Sequence, residues 1–300
     1  MELRQLRHFI SVAECGTFSR ASEALHLTQP ALTRSIQTLE DVVGAQLFTR
    51  VPRGVALTPA GDTLLRHAKL MVNQASAAKE EVAALEKGTA GQLEIGLAPM
   101  FSATIIHDVL TALNQEFPGL SFRVTSALFS NLLAGLKDGT FDVVLSNIPP
   151  AFDAPDLEAH ALFNTRSFIL AGASHPLANE KHVSAEALQQ ATWAVVEQTA
   201  GGDALPQVAQ ANGFSIDTPA VSTNSLSLLK TLLLSGKFLS VLTEHWIAEE
   251  LAAGSIKRLA TDGTPLVRTA GVITRRTPSR AASAQLFLEK ARTFAQGMPA

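Results

Sequence analysis

One cysteine, Cys15, stands in a chain of 300 residues. It excludes an internal disulfide framework and a zinc site built on cysteine thiolates, and it fits a reducing compartment. Long apolar runs are missing as well. The nearest, Leu226–Leu234, is interrupted by Lys230, so no membrane-spanning helix is expected. The opening residues, Met1-Glu2-Leu3-Arg4-Gln5-Leu6-Arg7, carry no apolar segment followed by a small-residue cleavage site. The expectation is a soluble cytoplasmic protein without a signal peptide and without a membrane partner.

Catalytic signatures are also lacking. There is no G-x-S-x-G, no Walker A and no H-E-x-x-H, and the eight histidines show no ligand spacing. No catalytic residue, cofactor or metal is expected. A strongly basic balance is absent too, since the net charge is −3. Residues 1–60 hold six arginines against five acids, so they are only mildly basic. Phosphate binding there must come from the placement of Arg20, Arg34, Arg50 and Arg53 rather than from a large field.

What is present is a globular composition, 46% hydrophobic and 17% charged, long enough for about two domains at ~150 residues each. Leu6, Phe9, Ile10 and Ala13 recur at helical spacing, and Gly16 follows as a stop. Residues 18–40 read as two short helices around a turn at His26-Leu27. Thr28 suits the cap of the second helix, and proline at position 30 is tolerated in a first turn because its missing N–H has no helical partner there. Ala31, Leu32, Ile36 and Leu39 then face inward, leaving Gln29, Thr33, Arg34 and Gln37 outward. A helix-turn-helix needs that division, because its second helix offers short polar side chains and an arginine to base edges and phosphates. The competing reading is an ordinary helical hairpin with a solvated polar face.

Gln46-Leu47-Phe48 and Val55-Ala56-Leu57 are strand candidates around a turn that carries Arg50 and Arg53, a wing able to grip a flanking phosphate or a narrow minor groove. The alternative is two solvated surface arginines. Thr58-Pro59 opens a long helix reaching Lys87. Along it Leu64, Ala68, Met71, Ala75, Ala78, Val82 and Leu85 alternate spacings of four and three, the seam of a two-stranded coiled coil. This predicts a dimerisation element, with packing against the helix's own N-terminal domain as the alternative. Residues 88–91 read as a hinge.

Beyond residue 90 strands and helices alternate. Strands are expected at 93–97, 120–124, 143–145, 162–170, 193–196, 238–242 and 267–274, with helices at 102–117, 131–138, 225–234, 244–253 and 279–295. That order predicts a mostly parallel sheet and two α/β lobes with a ligand cleft between them.

These stretches together resemble the LysR-type transcriptional regulators. The matching residues run as Leu6-Arg7-His8-Phe9, Gly16-Thr17-Phe18-Ser19-Arg20-Ala21, Leu27-Thr28-Gln29-Pro30-Ala31-Leu32, Gly44-Ala45-Gln46-Leu47-Phe48 and Leu57-Thr58-Pro59-Ala60-Gly61. The resemblance covers nearly the whole chain, specific in the first 65 residues and diffuse afterwards. It implies an α/β protein overall: an N-terminal winged helix-turn-helix (1–58), a long coiled-coil linker and dimerisation helix (59–88), and a periplasmic-binding-protein-like two-lobed α/β effector domain. Lobe I would hold 91–161 plus 268–300 and lobe II 162–267. The implied partners are double-stranded DNA with imperfect inverted repeats in promoters, a small-molecule effector such as a small organic acid or aromatic, a second copy giving a dimer and then a tetramer, and RNA polymerase.

Carried over residue by residue, the DNA contacts are Thr28, Gln29, Pro30, Ala31, Thr33, Arg34 and Gln37, with Arg50 and Arg53 on the wing. The effector positions are Pro99, Met100, Phe101 and Ser102, then Phe129 and Ser130, Asn147, and Thr199, Ala200 and Gly201. Met100 and Phe129 stand where the family commonly has hydroxyl residues, which makes this wall more apolar. Two other function classes stay open on residues alone. One is an enzyme using Asp142 or Glu197 as an acid. The other is a solute-binding protein, which leaves residues 1–88 unexplained.

Overall fold

The computed structural model describes residues 1–87, 91–102, 105–196, 204–276 and 281–298, without the side chains of 84–87 and 281. The chain forms two compact units, Met1–Gly88 with Gly135–Thr140, and Thr89–Ala134 with Phe141–Ala300.

The first unit begins with α1 (Leu3–Cys15), α2 (Phe18–Ala24) and α3 (Gln29–Val43). Local chemistry sets each boundary. Gly16 ends α1 in the left-handed region, at φ +71°. The Thr17 hydroxyl accepts the Arg20 N–H at 3.2 Å and starts α2, and the Thr28 hydroxyl accepts the Ala31 N–H at 3.4 Å and starts α3. Leu6, Phe9, Val12, Ala21, Leu32, Ile36, Leu39 and Leu47 make one buried core. Each large side chain there is worth about 1.5–3 kcal/mol of burial.

A hairpin follows, β1 (Phe48–Val51) and β2 (Gly54–Leu57), paired from Phe48↔Leu57 to Val51↔Gly54. The first strand starts later than the sequence pattern suggests. Arg50 therefore lies on the strand, and only Arg53 is in the loop. Gly54 has φ +136°, and a Cβ there would lie 2.2 Å from the Gly16 carbonyl oxygen. The Val55 N–H donates to that same oxygen at 2.9 Å, pinning the wing to the α1–α2 corner. The long helix α4 (Pro59–Lys87) is capped by Thr58, whose hydroxyl accepts the Gly61 N–H at 3.0 Å.

The second unit contains β3 (Gly91–Leu97), α5 (Ile106–Glu116), β4 (Leu120–Ser126), α6 (Phe129–Lys137), β5 (Val143–Ile148) and the long β6 (Leu157–Gly172). Then come α7 (Ala185–Gln190), β7 (Ala194–Val196), α8 (Ala204–Ala211), β8 (Val221–Thr223), α9 (Leu226–Leu234), β9 (Leu239–Thr243), α10 (Ala248–Ala252), β10 (Ile256–Arg258), β11 (Leu266–Arg275) and α11 (Ala281–Ala295). The main sheet has the order β10-β6-β11-β5-β3-β4, with β9 also on β6. β7 and β8 form a separate parallel pair.

The expectation of a mostly parallel sheet is wrong. Only β3 with β4 and β3 with β5 run parallel in the main sheet, and β5–β11, β11–β6, β6–β9 and β6–β10 are antiparallel. Parallel neighbours need a crossover of a dozen residues or more, and the segment between β5 and β6 is shorter than that. β6 and β11 each run through both lobes. They join a core under α5 and α11 (Leu93, Ile95, Val109, Phe287) to a core under α8 (Ile169, Leu205, Val208, Val241). The short elements α7, α8, β8 and β10 have no counterpart in the sequence reading, because each is too brief for a periodicity to show.

Candidate functional sites

In the first unit, α3 buries Leu32, Ile36 and Leu39. The opposite side presents a shallow open groove lined by Gln29, Pro30, Ala31, Thr33, Arg34 and Gln37. Thr28 sits exposed at the cap. All seven sequence-chosen residues of this helix therefore lie on one surface at its N-terminal end, where free N–H groups and the helix dipole favour anions. Arg34 is exposed, as are Arg50 and Arg53 on the wing. Short polar side chains, an arginine and a projecting basic hairpin are the equipment for reading base edges while gripping phosphates.

Two contacts fix α3 against its surroundings. His8 on α1 meets the Ser35 hydroxyl through Nδ1 at 2.7 Å. Burial, with a smaller contribution from Arg4, holds the His8 pKa below its ordinary value. At the other end of α3, the Glu40 carboxylate accepts the Leu47 N–H at 2.7 Å.

The seam residues of α4 part company. Ala68 is fully buried in its own domain's core, and Leu64 packs on that core. Lys69 pairs with Glu14 of α1 at 2.7 Å, so this turn faces inward. Ala68 has no surface left for a partner, which corrects its assignment to a dimer seam. Further along, Met71 is 39% and Val82 59% exposed, Ala78 is exposed and Ala75 is half-buried. The Leu85 side chain lies outside the described residues.

In the second unit the strand order puts β3 between β4 and β5. Connections leave β3 toward one side and return to its other side, so the carboxyl ends of β3 and β5 flank a topological switch point, the usual ligand crevice of such sheets. Met100, in a 3-10 turn (Pro99–Phe101) after β3, and Asn147, on β5, meet there. The Asn147 side-chain N–H donates to the Met100 Sδ at 3.3 Å. Asn147 is 2% exposed, and its Oδ1 has no hydrogen-bond partner.

The register extends this site across three strands. Ala270 opposes both Asn147 and Phe163, Arg268 opposes Thr165, and Ser167 opposes both Leu266 and Thr243. Directly opposed residues share a face, so Asn147, Arg268, Thr165, Ser167 and Thr243 form a polar row on one side of the sheet. It lies between the two apolar cores of that face. Met100 packs on the lobe I core and on a lobe II cluster that includes Leu229 and Leu242. A small cavity beside it, about 20 Å³, is lined by Met100, Ser167, Val196, Leu205, Val241 and Arg268.

Other sequence-chosen effector residues lie elsewhere. Phe101 is 1% exposed and stacks edge-on with Phe163, centroids 6.4 Å apart, so it is a core residue and not a pocket wall. Ser102 is exposed and donates its hydroxyl to the Pro99 carbonyl at 2.9 Å. Phe129 is half-buried and Ser130 exposed at the start of α6, and neither lines the cavity. Thr199, Ala200 and Gly201 lie outside the described residues, as does Glu197. Sequence reasoning missed Thr165, Ser167 and Arg268. Their signal was polar residues recurring at every second position of otherwise apolar strands.

Asp142 is structural. It is fully buried, accepts the Glu94 N–H at 3.0 Å and pairs with Arg275 at 3.6 Å. Arg275 also donates to the Phe141 carbonyl at 2.6 Å. A buried carboxylate satisfied this way anchors a strand end and is not aimed at a ligand. No cluster of three or more His, Cys, Asp or Glu able to hold a metal occurs among the described residues. Among them, no helix is long and apolar enough to cross a membrane.

Comparison with known proteins agrees with both units. Residues 3–62 match the model of the bacterial regulatory helix-turn-helix proteins of the lysR family, and residues 86–296 match the LysR substrate binding domain. The chain is 32% identical over 261 residues to an SDS degradation transcriptional activation protein of Pseudomonas sp., covering 86% of this chain and 84% of that one. It is 30% identical over 291 residues to a RuBisCO operon transcriptional regulator of Allochromatium vinosum, covering 96% and 95%. Among solved structures, ArgP from Mycobacterium tuberculosis superposes with a TM-score of 0.72 at 22% identity over 98% of this chain and 97% of that one. The groove on α3, the basic wing and the crevice at the sheet's switch point thus sit in a protein that belongs to the LysR family of transcriptional regulators.

Proposed function

We propose that the chain binds promoter DNA as a dimer or dimer of dimers, and that a small molecule in the crevice between lobes resets that binding. The observation that carries this reading is the single groove formed by Gln29, Pro30, Ala31, Thr33, Arg34 and Gln37 beside a wing bearing Arg50 and Arg53. Residues 1–58 act as the reader and 59–88 as linker and dimerisation helix. Residues 91–161 with 268–300, and 162–267, act as the two effector lobes. With one arginine on the outer face of α3, a single copy grips DNA weakly, so specificity comes from paired copies on an imperfect inverted repeat. The exposed stripe of Met71, Ala75, Ala78 and Val82 supports pairing through α4. The protein works in the cytoplasm without catalytic chemistry, and RNA polymerase is its partner at the promoter.

Fluorescence anisotropy with fragments upstream of the gene tests the reading. Binding is expected to be saturable, sequence-dependent and salt-sensitive. Arg34→Ala should cost roughly 1–3 kcal/mol and relax sequence preference, whereas Arg53→Ala should weaken all sequences alike and lower the salt slope by about 1. Absence of any sequence-dependent binding overturns the reading.

A further inference from the structure

We propose that the crevice is built for a small carboxylate carrying a hydroxyl on the adjacent carbon, with Asn147 Oδ1 as the acceptor for that hydroxyl and the Arg268 guanidinium beside the carboxylate. This rests on the reading of the crevice as the effector site and specifies the ligand class.

Size decides the first point. The cavity of about 20 Å³ beside Met100 holds at most one water, since one water needs roughly 10–15 Å³ of such space. Any effector must therefore displace the Met100 side chain, an unbranched and adaptable group that fills the gap between lobes. Only a ligand of few carbon atoms fits the space it vacates.

Chemistry decides the second. Asn147 is 2% exposed, its N–H is committed to Met100 at 3.3 Å, and its Oδ1 is unpartnered. A buried acceptor left unpaired costs about 1–3 kcal/mol, so a ligand donor that reaches it recovers that loss. Arg268 lies on the same face of the sheet, diagonal to Asn147 across β5 and β11, a spacing of roughly 7–8 Å that a long side chain bridges. Thr165 and Ser167 complete the polar row. A hydroxyl brings one donor to one vacant acceptor. An ammonium in its place brings three donors, and two of them exceed the single vacancy at Asn147.

Isothermal titration calorimetry on the full-length protein tests this with lactate, propionate and alanine, which share a three-carbon frame. Lactate is expected to bind at least 10-fold more tightly than propionate or alanine. Asn147→Leu should bring lactate down to the propionate level, and Arg268→Gln should abolish binding of both. Met100→Ala, which opens the cavity, should tighten lactate binding and keep the preference. The assignment is overturned if wild type binds propionate or alanine as well as lactate, or if neither wild type nor Met100→Ala binds lactate. If the acids alter DNA affinity without any 2-hydroxyl preference, the ligand class falls and the regulator reading stands. Failure to bind any upstream DNA removes the regulator reading instead, while the calorimetric preference still decides the ligand class.

Discussion

The Glu40 carboxylate accepts the Leu47 N–H at 2.7 Å and the Phe48 N–H at 3.4 Å, tying the last turns of α3 to the entry of the wing. The two basic elements of the reader are thus held in one frame by a charge-assisted bond, worth about 1.5–3 kcal/mol when well shielded and less at a half-buried site. Glu40→Ala should destabilise the first unit by roughly 1–2 kcal/mol. Hydrogen exchange checks it directly, since the Leu47 and Phe48 amides should exchange faster while those of α1 change less. Unaltered exchange at both amides would sink the assignment.

His26 occupies the turn between α2 and α3 with φ +54°. The Leu27 N–H bonds to the Ser22 carbonyl at 2.9 Å and the His26 N–H to the Glu23 carbonyl at 3.1 Å, a Schellman closure with a non-glycine at its left-handed position. Such a position costs an L-residue about 1–2 kcal/mol, partly offset in glycine by its greater unfolded-state entropy. His26→Gly should therefore raise stability by roughly 0.5–1 kcal/mol. A lower unfolding midpoint in urea would contradict this.

Exposed apolar residues on α4 predict association. Met71→Asp with Val82→Asp should shift the protein toward monomer and abolish DNA binding, because charges on a coiled-coil seam cannot be solvated in the dimer. Sedimentation velocity reads the oligomer and circular dichroism confirms that the helix persists. Ala68→Asp is expected to behave differently, unfolding the N-terminal core in which that residue is buried.

Histidine protonation opposes folding. His8, His160 and His175 have pKa values below the ordinary 6.5, each lowered chiefly by burial. The folded state holds them neutral, so their contribution is complete above pH 6.5 and is lost as pH falls below it through the folded values. The His175 Nδ1 accepts the Leu177 N–H at 3.1 Å, a bond that protonation removes. The unfolding midpoint should drop between pH 7 and 5.5. His175→Asn, which caps without titrating, should flatten that drop, and an unchanged slope would count against the assignment.

Some features were legible because their causes are local. Thr28 with Pro30 sets the start of α3, Leu32, Ile36 and Leu39 set its buried side, and Arg34 and Gln37 follow as its outward side. The first unit's order of three helices, wing and long helix also came directly from capping residues and spacing. The α4 heptads were readable as apolar spacing, yet spacing does not say which partner covers them. Ala68 went to its own domain's core while Met71 and Val82 stayed exposed.

The crevice was only half legible. Pro99-Met100 and Asn147 mark strand ends, and strand ends are local. Thr165, Ser167 and Arg268 join them only through pairing across more than 100 residues of sequence, fixed by the antiparallel register of β6 and β11. Register is a property of the assembled sheet: a shift of one residue would send this polar row to the other face. The amino-acid sequence alone therefore determined the reading helix, its caps and the family. Tertiary structure decided that β6 and β11 cross between the lobes, that the sheet is mostly antiparallel, and that a buried asparagine faces an arginine across a crevice plugged by Met100.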